Sequence, residues 1–388
     1  MLFRGRELEQ QANYPAVGDI VIFQPEFIEF GGEERVILSL SRELHAQGKP
    51  HSILCYWDHI NLAAYATWPL KVYQLNPSKN PISKVLSLRR CLQSIYQVGS
   101  PTPVLFNIQS AYHAGLATNA PYHVRIPDTY SLLGFKPESA QKETPSLLKC
   151  FKSKLMSLIC HFATRRGIRN SKKFVTNTLA LREEMQHLYG RSAEVIYLGG
   201  FGGLIDNVPE RAAAPINLFT VSRLQTSKRI DWILYALAEI KRDEDSYPAW
   251  CLHIAGTGPD QNTLQNLCET LGISDQVIFH GFVSDDQLQK LYETSHVFLM
   301  PAKQGFGLPA IEALYQKLGL VVSDESGVVE ILQDTNWVTI AHGGKAGFVS
   351  ATKEMLKRVE DPGFYQNPMP ELPTEALWAK KIISHFGW

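Results

Sequence analysis

Short apolar runs alternate with amphipathic stretches along most of the chain, and this alternation is the first feature that predicts structure. Residues 19–23 form a β-branched apolar run, which is typical of a buried strand. Residues 33–47 then place apolar side chains at helical spacing, and Gly48 ends the predicted helix. Further strands are predicted at 52–56, 104–107, 122–126, 173–176 and 194–197. This alternation predicts parallel βαβ units with right-handed crossovers.

The same pattern restarts after residues 210–215, which contain three alanines and indicate a linker. A strand is predicted at 216–221 and a helix at 230–241, followed by strands at 250–255, 276–279, 297–300 and 320–322. Four prolines between 362 and 373 cannot lie inside a helix, and a short final helix is predicted at 374–386. We therefore expect an α/β protein with two Rossmann-like domains, over residues 1–209 and 210–370, and a terminal helix within 371–388.

Composition narrows the class of protein. The chain has 388 residues, of which 45% are hydrophobic and 20% charged, so it can build the cores of two domains. Its 38 Lys and Arg balance 38 Asp and Glu, which excludes a whole-chain field that would collect nucleic acid. No apolar run reaches the roughly 18 residues of a membrane-spanning helix, and the start has no apolar secretory segment. Because the six cysteines are scattered without a CxxC pair, we expect reduced thiols, no thiolate-bound metal and a cytoplasmic location.

Residues 303–314 are the most informative stretch. Gly305 and Gly307 precede a predicted helix, so backbone N–H groups there can approach an anion, and Pro309 suits the first helical turn. The helix N-terminus offers partial positive charge to a diphosphate. Glu312 lies one turn inside, where its carboxylate could accept both hydroxyls of a ribose. The alternative is an ordinary strand–helix turn with a solvated glutamate.

Arg223 and Lys228 follow the predicted strand at 216–221. A loop after a parallel strand lies at the carboxyl edge of the sheet, where open α/β sheets bind ligands. Arginine can bind two phosphate oxygens at once, and lysine adds a mobile point charge. The two residues are therefore candidates for phosphate binding, and the alternative is that they are surface cations.

Three other glycine-containing turns are weaker candidates. Residues 255–259 end a strand with Gly256 and Gly258, where a tight turn and a ligand contact are equally good interpretations. This turn lacks the third glycine of the dinucleotide fingerprint, which argues against a nucleotide-binding oxidoreductase. Residues 280–283 end another strand, and their backbone could contact a base edge while Phe282 packs nearby. Gly31 and Gly32 open the first predicted helix and could meet a phosphate or a sugar.

Taken in order, these segments resemble the retaining glycosyltransferases of GT-B fold, in the large family 4 group that uses nucleotide sugars. The resemblance covers most of the chain. It rests on GGEERVILSLSREL at 31–44, VSRLQTSKRIDWILYALAEI at 221–240, LHIAGTGPDQNTLQNL at 252–267, VIFHGFVSDDQLQKLYETSHVFLMPAKQGFGLPAIEAL at 277–314, and SDESGVVEIL at 323–332 with Glu330 at its acidic position. The ordered series is far more specific than any single motif.

The resemblance implies a role for each matching residue. Arg223 and Lys228 match the positions that hold the donor diphosphate, and Glu312 matches the glutamate that binds the ribose hydroxyls. The other implied donor-binding residues are Gly32, Gly256, Gly258, Gly281, Phe282, Val283, Gly305, Phe306, Gly307 and Leu308.

Gln304 departs from the family pattern. It occupies the position of the first glutamate in the family's motif of two glutamates separated by seven residues, of which Glu312 is the second. Glutamine can hydrogen-bond a sugar hydroxyl, but it carries no charge and cannot act as base or nucleophile. Gln304 therefore remains a candidate catalytic residue only as a neutral, orienting group.

The resemblance also implies a reaction. A hexose would move from a nucleoside diphosphate sugar to a hydroxyl with retention of configuration, without a metal or other cofactor, in surface polysaccharide or lipid-linked glycan assembly. The donor would lie mainly on the C-terminal domain and the acceptor mainly on the N-terminal one, which would face each other across a cleft, and the terminal helix would cross back to the first domain. His113 and Asp128 follow predicted N-terminal strands and could contact sugar or acceptor, although such a histidine is more often structural. The alternative function is a catalytically silent relative that binds nucleotide sugars or a partner protein.

Residues 144–182 carry nine basic and no acidic residues, and several apolar residues recur there at helical spacing. The apolar residues are Leu148, Phe151, Leu155, Leu158, Ile159 and Phe162. A basic amphipathic helix can lie on an anionic membrane surface, which would make the protein peripheral on the inner face of the membrane. The alternative is an ordinary surface helix packed by its apolar side.

Overall fold

The computed structural model describes residues 14–16, 19–96, 104–107, 110–128, 147–243, 246–333 and 335–388, and of residues 147–157 only the backbone. The chain divides into two compact units. Unit 1 consists of Met1–Tyr197 with Glu375–Trp388, and unit 2 of Leu198–Thr374.

The boundary between the units, at Tyr197 and Leu198, comes earlier in the chain than the linker at 210–215 that the sequence suggests. The Ile205 amide donates to the Tyr315 carbonyl at 3.0 Å. The Arg211 guanidinium donates to the carbonyls of Gln316 and Lys317 at 2.6 and 3.1 Å. Residues 205–211 are therefore part of unit 2, although their alanine-rich surroundings read as a linker.

Unit 1 is built on a parallel sheet. Its strands are β1 (Ile20–Phe23), β2 (Glu26–Phe27), β3 (His51–Cys55), β4 (Trp57–Asp58), β5 (Val72–Gln74), β6 (Val104–Asn107), β7 (Tyr122–Ile126), β8 (Lys173–Thr176) and β9 (Glu194–Val195). The main sheet has the order β5-β3-β1-β6-β7-β8-β9, and β2 pairs separately with β4. Every residue of β1, β6 and β7 is buried, as expected for central strands of a parallel sheet covered on both faces. The helices that follow these strands are α1 (Gly32–Ala46), α2 (Pro81–Tyr96), α3 (Ala111–Ala117), α4 (Leu147–Asn170) and α5 (Leu179–Tyr189).

Unit 2 repeats this plan with six parallel strands. They are β10 (Ile216–Val221), β11 (Trp250–Ala255), β12 (Val277–Gly281), β13 (Val297–Met300), β14 (Gly319–Ser323) and β15 (Val338–Ala341), in the order β12-β11-β10-β13-β14-β15. The helices are α6 (Ile230–Arg242), α7 (Gln261–Leu271), α8 (Asp285–Thr294), α9 (Leu308–Tyr315) and α10 (Gly344–Glu360). The predicted fold class, α/β with two Rossmann-like domains, is confirmed.

The chain returns to unit 1 in its last helix, α11 (Glu375–Phe386). Glu375 pairs with Arg42 and accepts a hydrogen bond from Ser39, and both partners lie on α1. Trp378, together with the apolar residues that follow it on the same face, is buried. The final helix is thereby fastened to the helix that opens with Gly32. Within the residues that the structure describes, no helix is long and apolar enough to span a bilayer.

Candidate functional site

The site in unit 2 lies where the connections of the sheet change direction. From β10 the chain moves outward through β11 and β12, and it returns to the other side of β10 with β13. In open parallel sheets, ligands bind outside the carboxyl ends of the two strands at this switch point. Arg223 and Lys228 follow β10, and Gln304 to Leu308 follow β13. The topology thus brings together two segments that the sequence singled out separately.

Lys228 and Gln304 join these two loops directly. The Lys228 ammonium donates a hydrogen bond to the Gln304 side-chain oxygen at 2.8 Å. The Gln304 amide nitrogen donates to the Met300 sulfur at 3.0 Å, and the Gly327 amide donates to the Gln304 carbonyl at 3.1 Å. Gln304 is therefore fixed by main chain and side chain, with its polar end against a candidate phosphate-binding cation.

Gly307 makes this packing possible. It precedes α9 with φ +116°, a conformation that L side chains rarely adopt. A Cβ at this position would lie 2.8 Å from the Gln304 side-chain nitrogen and 2.8 Å from the Met300 methyl carbon. The neighbouring Phe306 is buried, and its carbonyl accepts the Val328 amide at 2.8 Å. The loop before α9 is thus anchored on the segment that follows β14.

Glu312 lies on α9, one turn inside the helix, as the sequence indicates. The Tyr292 hydroxyl donates to the Glu312 carboxylate at 3.1 Å. Tyr292 belongs to α8 and is buried, so this contact fixes the orientation of the carboxylate.

Gly256 and Gly258 have a packing reason of their own. A Cβ at Gly256 would lie 2.0 Å from the Ser222 carbonyl oxygen, and one at Gly258 would lie 2.2 Å from the Leu224 carbonyl oxygen. The Leu224 amide also donates to the Thr257 carbonyl at 2.9 Å. The turn therefore supports the backbone on either side of Arg223, whose side chain is exposed. This contact favours the tight-turn interpretation of the two glycines.

The turn after β12 leaves the ring of Phe282 exposed. Gly281 has φ +66°, and its carbonyl accepts the Gly256 amide at 2.7 Å. Phe282 is 85% exposed. The ring thus packs against no core residue among those described, and its contact with a base stays a prediction. Val283 is half-buried beside it.

An ion cluster that sequence reasoning missed links three loops of the site. Glu325, after β14, pairs with Arg229 after β10 and with Lys303 after β13, the latter at 3.4 Å. The hydrogen bond from Arg229 lowers the pKa of Glu325. The sequence shows an acidic SDES segment at 323–326 and basic residues in the loops after β10 and β13. These three segments are far apart in sequence, and only the fold brings them together.

In unit 1 the same topological rule singles out the ends of β1 and β6. The Asn107 amide donates to the Gln24 side-chain oxygen at 2.9 Å across this switch point. Gly31 precedes α1 as its cap, its amide donates to the Glu34 carboxylate at 3.1 Å, and Gly32 is exposed. An exposed glycine at the start of a helix leaves room for a ligand to approach the backbone.

His113 and Asp128 lie in different surroundings. The His113 ring is 2% exposed and shares a 2.9 Å hydrogen bond with the Tyr56 hydroxyl. Burial lowers the pKa of His113 to about 3, so the ring is neutral near pH 7. These contacts favour the structural interpretation of His113. Asp128 is half-buried just beyond β7.

The basic segment is described only in part. Residues 144–146 and the side chains of 147–157 lie outside the described residues, and with them Leu148, Lys149, Phe151, Lys152, Lys154 and Leu155. In the described part of α4, Leu158, Ile159 and Phe162 are 52%, 45% and 58% exposed. Arg165 and Arg169 are also exposed and continue the same helical stripe. Apolar and basic residues thus follow one another along one exposed face instead of occupying opposite faces.

Comparison with known proteins identifies the larger part of unit 2. Residues 205–359 match the family model described as "Glycosyl transferases group 1". Over this segment the chain is similar to the group 1 glycosyltransferases. It contains the candidate residues after β10, β11, β12 and β13.

Individual relatives agree with the family match. An uncharacterized glycosyltransferase of Methanocaldococcus jannaschii is 35% identical over 114 residues, which are 29% of this chain and 28% of that protein. A GDP-mannose-dependent alpha-(1-6)-phosphatidylinositol monomannoside mannosyltransferase of Mycobacterium tuberculosis is 29% identical over 145 residues, 35% of this chain and 37% of that protein. The chain therefore matches well under half the length of these curated relatives.

A solved structure extends the likeness in fold to both units. The lipopolysaccharide outer core galactosyltransferase WaaB, in its apo form, superposes with a TM-score of 0.65. The superposition covers 95% of this chain and 99% of that one, at 18% sequence identity. At this identity the likeness shows the fold alone.

Proposed function

We propose that the protein is a retaining glycosyltransferase that moves a hexose from a nucleoside diphosphate sugar to a hydroxyl acceptor. The observation that carries the proposal is the convergence of Lys228, Gln304 and the start of α9 at the switch point of unit 2. Two cations, a helix N-terminus and a carboxylate one turn further on match the charges of a diphosphate and the hydroxyls of a ribose. The similarity to the group 1 glycosyltransferases supports the same assignment.

In the proposed reaction, the bond between the anomeric carbon and the diphosphate oxygen breaks, and both electrons stay on the diphosphate. Arg223, Lys228 and the N-terminus of α9 stabilise the charge that develops there, and such preorganised groups supply much of the lowering of a barrier. The acceptor oxygen bonds to the anomeric carbon on the face that the diphosphate leaves, and its proton passes to the departing diphosphate oxygen. This assignment places the leaving-group charge on protein groups, so the proposed reaction is metal-independent.

Each residue of the site is assigned to one part of the donor. We assign Glu312 to the ribose hydroxyls, because Tyr292 already orients its carboxylate. We assign Gln304 to a hydroxyl of the transferred sugar and to the orientation of Lys228, since a neutral amide can do both but cannot form a covalent intermediate. Gly305 to Leu308 offer main-chain groups to the diphosphate, Gly281 to Val283 contact the base, and Gly32 is a further donor contact.

The acceptor is proposed to be a glycan or a lipid-linked sugar bound mainly by unit 1. Asp128, half-buried at the carboxyl end of β7, is its candidate contact. His113 is a weaker one, because its neutral ring is enclosed and already bonded to Tyr56.

Cleavage of the donor distinguishes this proposal from the alternative of a catalytically silent binding protein. The parent protein is incubated with UDP-, GDP- and ADP-linked hexoses, and release of the nucleoside diphosphate is measured with and without a membrane extract as acceptor. We expect slow hydrolysis of one donor and faster turnover with acceptor. A donor that raises the melting temperature but is never cleaved would instead favour the silent binder that Gln304 suggests.

A second proposal concerns location. We propose that α4 rests on an anionic, cytoplasmic membrane surface, because Leu158, Ile159 and Phe162 expose apolar area next to Arg165 and Arg169. The scattered cysteines support a reducing compartment.

Flotation with phosphatidylglycerol vesicles tests this location. We expect binding at low salt, release at high salt, and loss of binding in a Leu158→Ser/Phe162→Ser variant. Leu188→Ser, an equally apolar exposed position on α5, is the control that should bind like the parent. A parent protein that ignores the vesicles at low salt would leave α4 an ordinary surface helix.

A further inference from the structure

The described part of unit 1 contains a buried arginine that the proposed reaction does not use. Arg125 lies on β7 and is 1% exposed. Its guanidinium donates to the Glu33 carboxylate at 2.9 Å and to the Asn107 side-chain oxygen at 2.8 Å. Its Nε atom is buried and has no hydrogen-bond partner among the described residues. A fully buried arginine is uncommon in a core and is retained only where it is paired.

The partner carboxylate lies in an electrostatically sensitive place. Glu33 and Glu34 occupy the first turn of α1, directly after Gly32. Glu34 turns back to accept the Gly31 amide at 3.1 Å. Two carboxylates at a helix start favour the helix but oppose any further anion at the same end. Because Arg125 draws the Glu33 carboxylate towards the sheet and pairs with its charge, the approach to Gly32 is less negative than the sequence suggests.

Arg125 also connects this helix start to the end of the chain. Its guanidinium carbon lies 5.3 Å from the centroid of the buried Trp378 ring, within the range of a cation–π contact. Trp378 belongs to α11, whose Glu375 is bound to Ser39 and Arg42 of α1. The C-terminal helix therefore contacts Arg125 through Trp378 and binds α1 through Glu375.

We propose that Arg125 is a positioning residue for donor binding: by pairing with Glu33 beneath Trp378, it holds the first turn of α1 and allows Gly32 to accept the donor diphosphate. This inference rests on the proposed function, which assigns Gly32 to the diphosphate. It adds that α11 and the buried Arg125 determine how tightly the first turn of α1 binds the donor, although neither belongs to that turn.

A double-mutant cycle with two readouts tests the inference. The variants are Arg125→Met, Arg125→Lys, Glu33→Gln and Arg125→Met/Glu33→Gln, all measured in the full chain well below the melting temperature. Arg89→Met, an exposed arginine on α2 that donates to the Leu116 carbonyl, is the matched control. One readout is amide exchange in peptides covering 26–40 without ligand. The other is the dissociation constant of UDP, GDP and ADP.

We expect Arg125→Met to speed exchange in 26–40 and to weaken binding of the preferred nucleotide about tenfold. Arg125→Lys should bind the preferred nucleotide about threefold more weakly than the parent, because an ammonium keeps the charge but cannot make the two-pronged contact of a guanidinium. Adding Glu33→Gln to Arg125→Met should restore affinity to within about threefold of the parent, since the unpaired carboxylate is then gone. Rescue of the nucleotide affinity, and not only of amide exchange, distinguishes a positioning residue from a merely structural arginine, and the Arg89→Met control should behave like the parent.

The possible failures are distinguishable. Unchanged exchange and unchanged affinity in Arg125→Met would overturn the inference. Faster exchange with unchanged affinity would overturn the donor role alone, and a loss that Glu33→Gln does not restore would overturn the charge argument. If the parent binds none of the three nucleotides, the proposed function itself is contradicted, and the donor role of Arg125 with it.

Discussion

The Lys228 ammonium donates a 2.8 Å hydrogen bond to the side-chain oxygen of Gln304, 76 residues further along the chain. The loops after β10 and β13 are therefore held together at the point where the sheet offers its ligand site. The partner of the cation is neutral. A glutamate at this position would pair with Lys228 by charge and would compete with an incoming diphosphate.

Lys228→Ala should weaken nucleoside diphosphate binding more than Arg223→Ala. Lys228 is half-buried and oriented by Gln304, whereas Arg223 is exposed and its charge is screened by solvent. We expect a loss of about 2–4 kcal/mol for Lys228→Ala and about 1 kcal/mol for Arg223→Ala, measured by titration calorimetry. Lys241→Ala, on the far end of α6, is the control. Normal affinity in both site variants would remove these residues from the site.

Gln304 and Glu312 should separate sugar transfer from nucleotide binding. Gln304→Ala removes an orienting contact of roughly 0.5–1.5 kcal/mol, so transfer should fall while nucleotide affinity changes little. Glu312→Ala should mainly weaken nucleotide affinity. Gln304→Glu places a carboxylate against Lys228 and should weaken nucleoside diphosphate binding. If Gln304→Ala transfers sugar as fast as the parent, the residue is a bystander.

Gly307→Ala should damage the site through a clash as well as through backbone strain. Its φ of +116° disfavours any side chain, and a Cβ would meet the Gln304 nitrogen at 2.8 Å. Gly343, with φ +84° and open space around its Cβ position, is a matched control for strain alone. Both alanine variants should lose about 1 kcal/mol or more of unfolding free energy, but only Gly307→Ala should lose donor binding. Equal donor affinity in the two variants would contradict the packing role of Gly307.

His123 should make unit 1 less stable in acid. Both ring nitrogens of His123 are buried and have no hydrogen-bond partner among the described residues. The ring stacks on Phe386, with the two ring centroids 4.5 Å apart. Burial lowers the pKa of His123 to about 3. The unfolded chain therefore binds more protons below about pH 6.5, and folding stability falls as the pH drops from there towards 3.

Replacing His123 by Phe keeps the stacking and removes this proton uptake. The difference in unfolding free energy between His123→Phe and the parent is measured by denaturant titration at pH 5 and at pH 7. We expect this difference to be roughly 2 kcal/mol more favourable to the variant at pH 5 than at pH 7. His113→Phe is the contrasting variant, since it leaves the Tyr56 hydroxyl without its bond and should destabilise at pH 7. A His123→Phe effect that is the same at both pH values would contradict the argument.

The alternation of apolar and amphipathic segments predicted the central strands well, because buried parallel strands are short, continuous apolar runs. It missed β5 (Val72–Gln74), which lies at a sheet edge and is only partly buried. It also missed β15 (Val338–Ala341), which lies at the edge of the sheet of unit 2. The hydrophobic pattern is weaker at sheet edges, so the sequence indicated two of the four edge strands described for the two larger sheets, β9 and β12, and missed the other two.

The candidate site was predictable as a set of loops but not as a set of contacts. Spacing placed Arg223 and Lys228 after one strand and Gly307 before one helix, since those relationships are local. The Lys228–Gln304 bond and the Arg125–Glu33 pair join residues far apart in sequence. Arg125 in particular looked like one polar residue in a strand, because nothing local distinguishes a buried, paired arginine from one facing solvent.

The nucleotide-sugar site at the carboxyl edge of unit 2 is tested by titrating the purified parent, Lys228→Ala and Glu312→Ala with UDP-, GDP- and ADP-hexoses. We predict that the parent binds one of the three classes of donor, that Lys228→Ala loses affinity for the nucleoside diphosphate, and that Glu312→Ala loses affinity for the nucleoside with its ribose. Parent-like binding in both variants, or no binding of any donor by the parent, would contradict a nucleotide-sugar site at the carboxyl edge of unit 2.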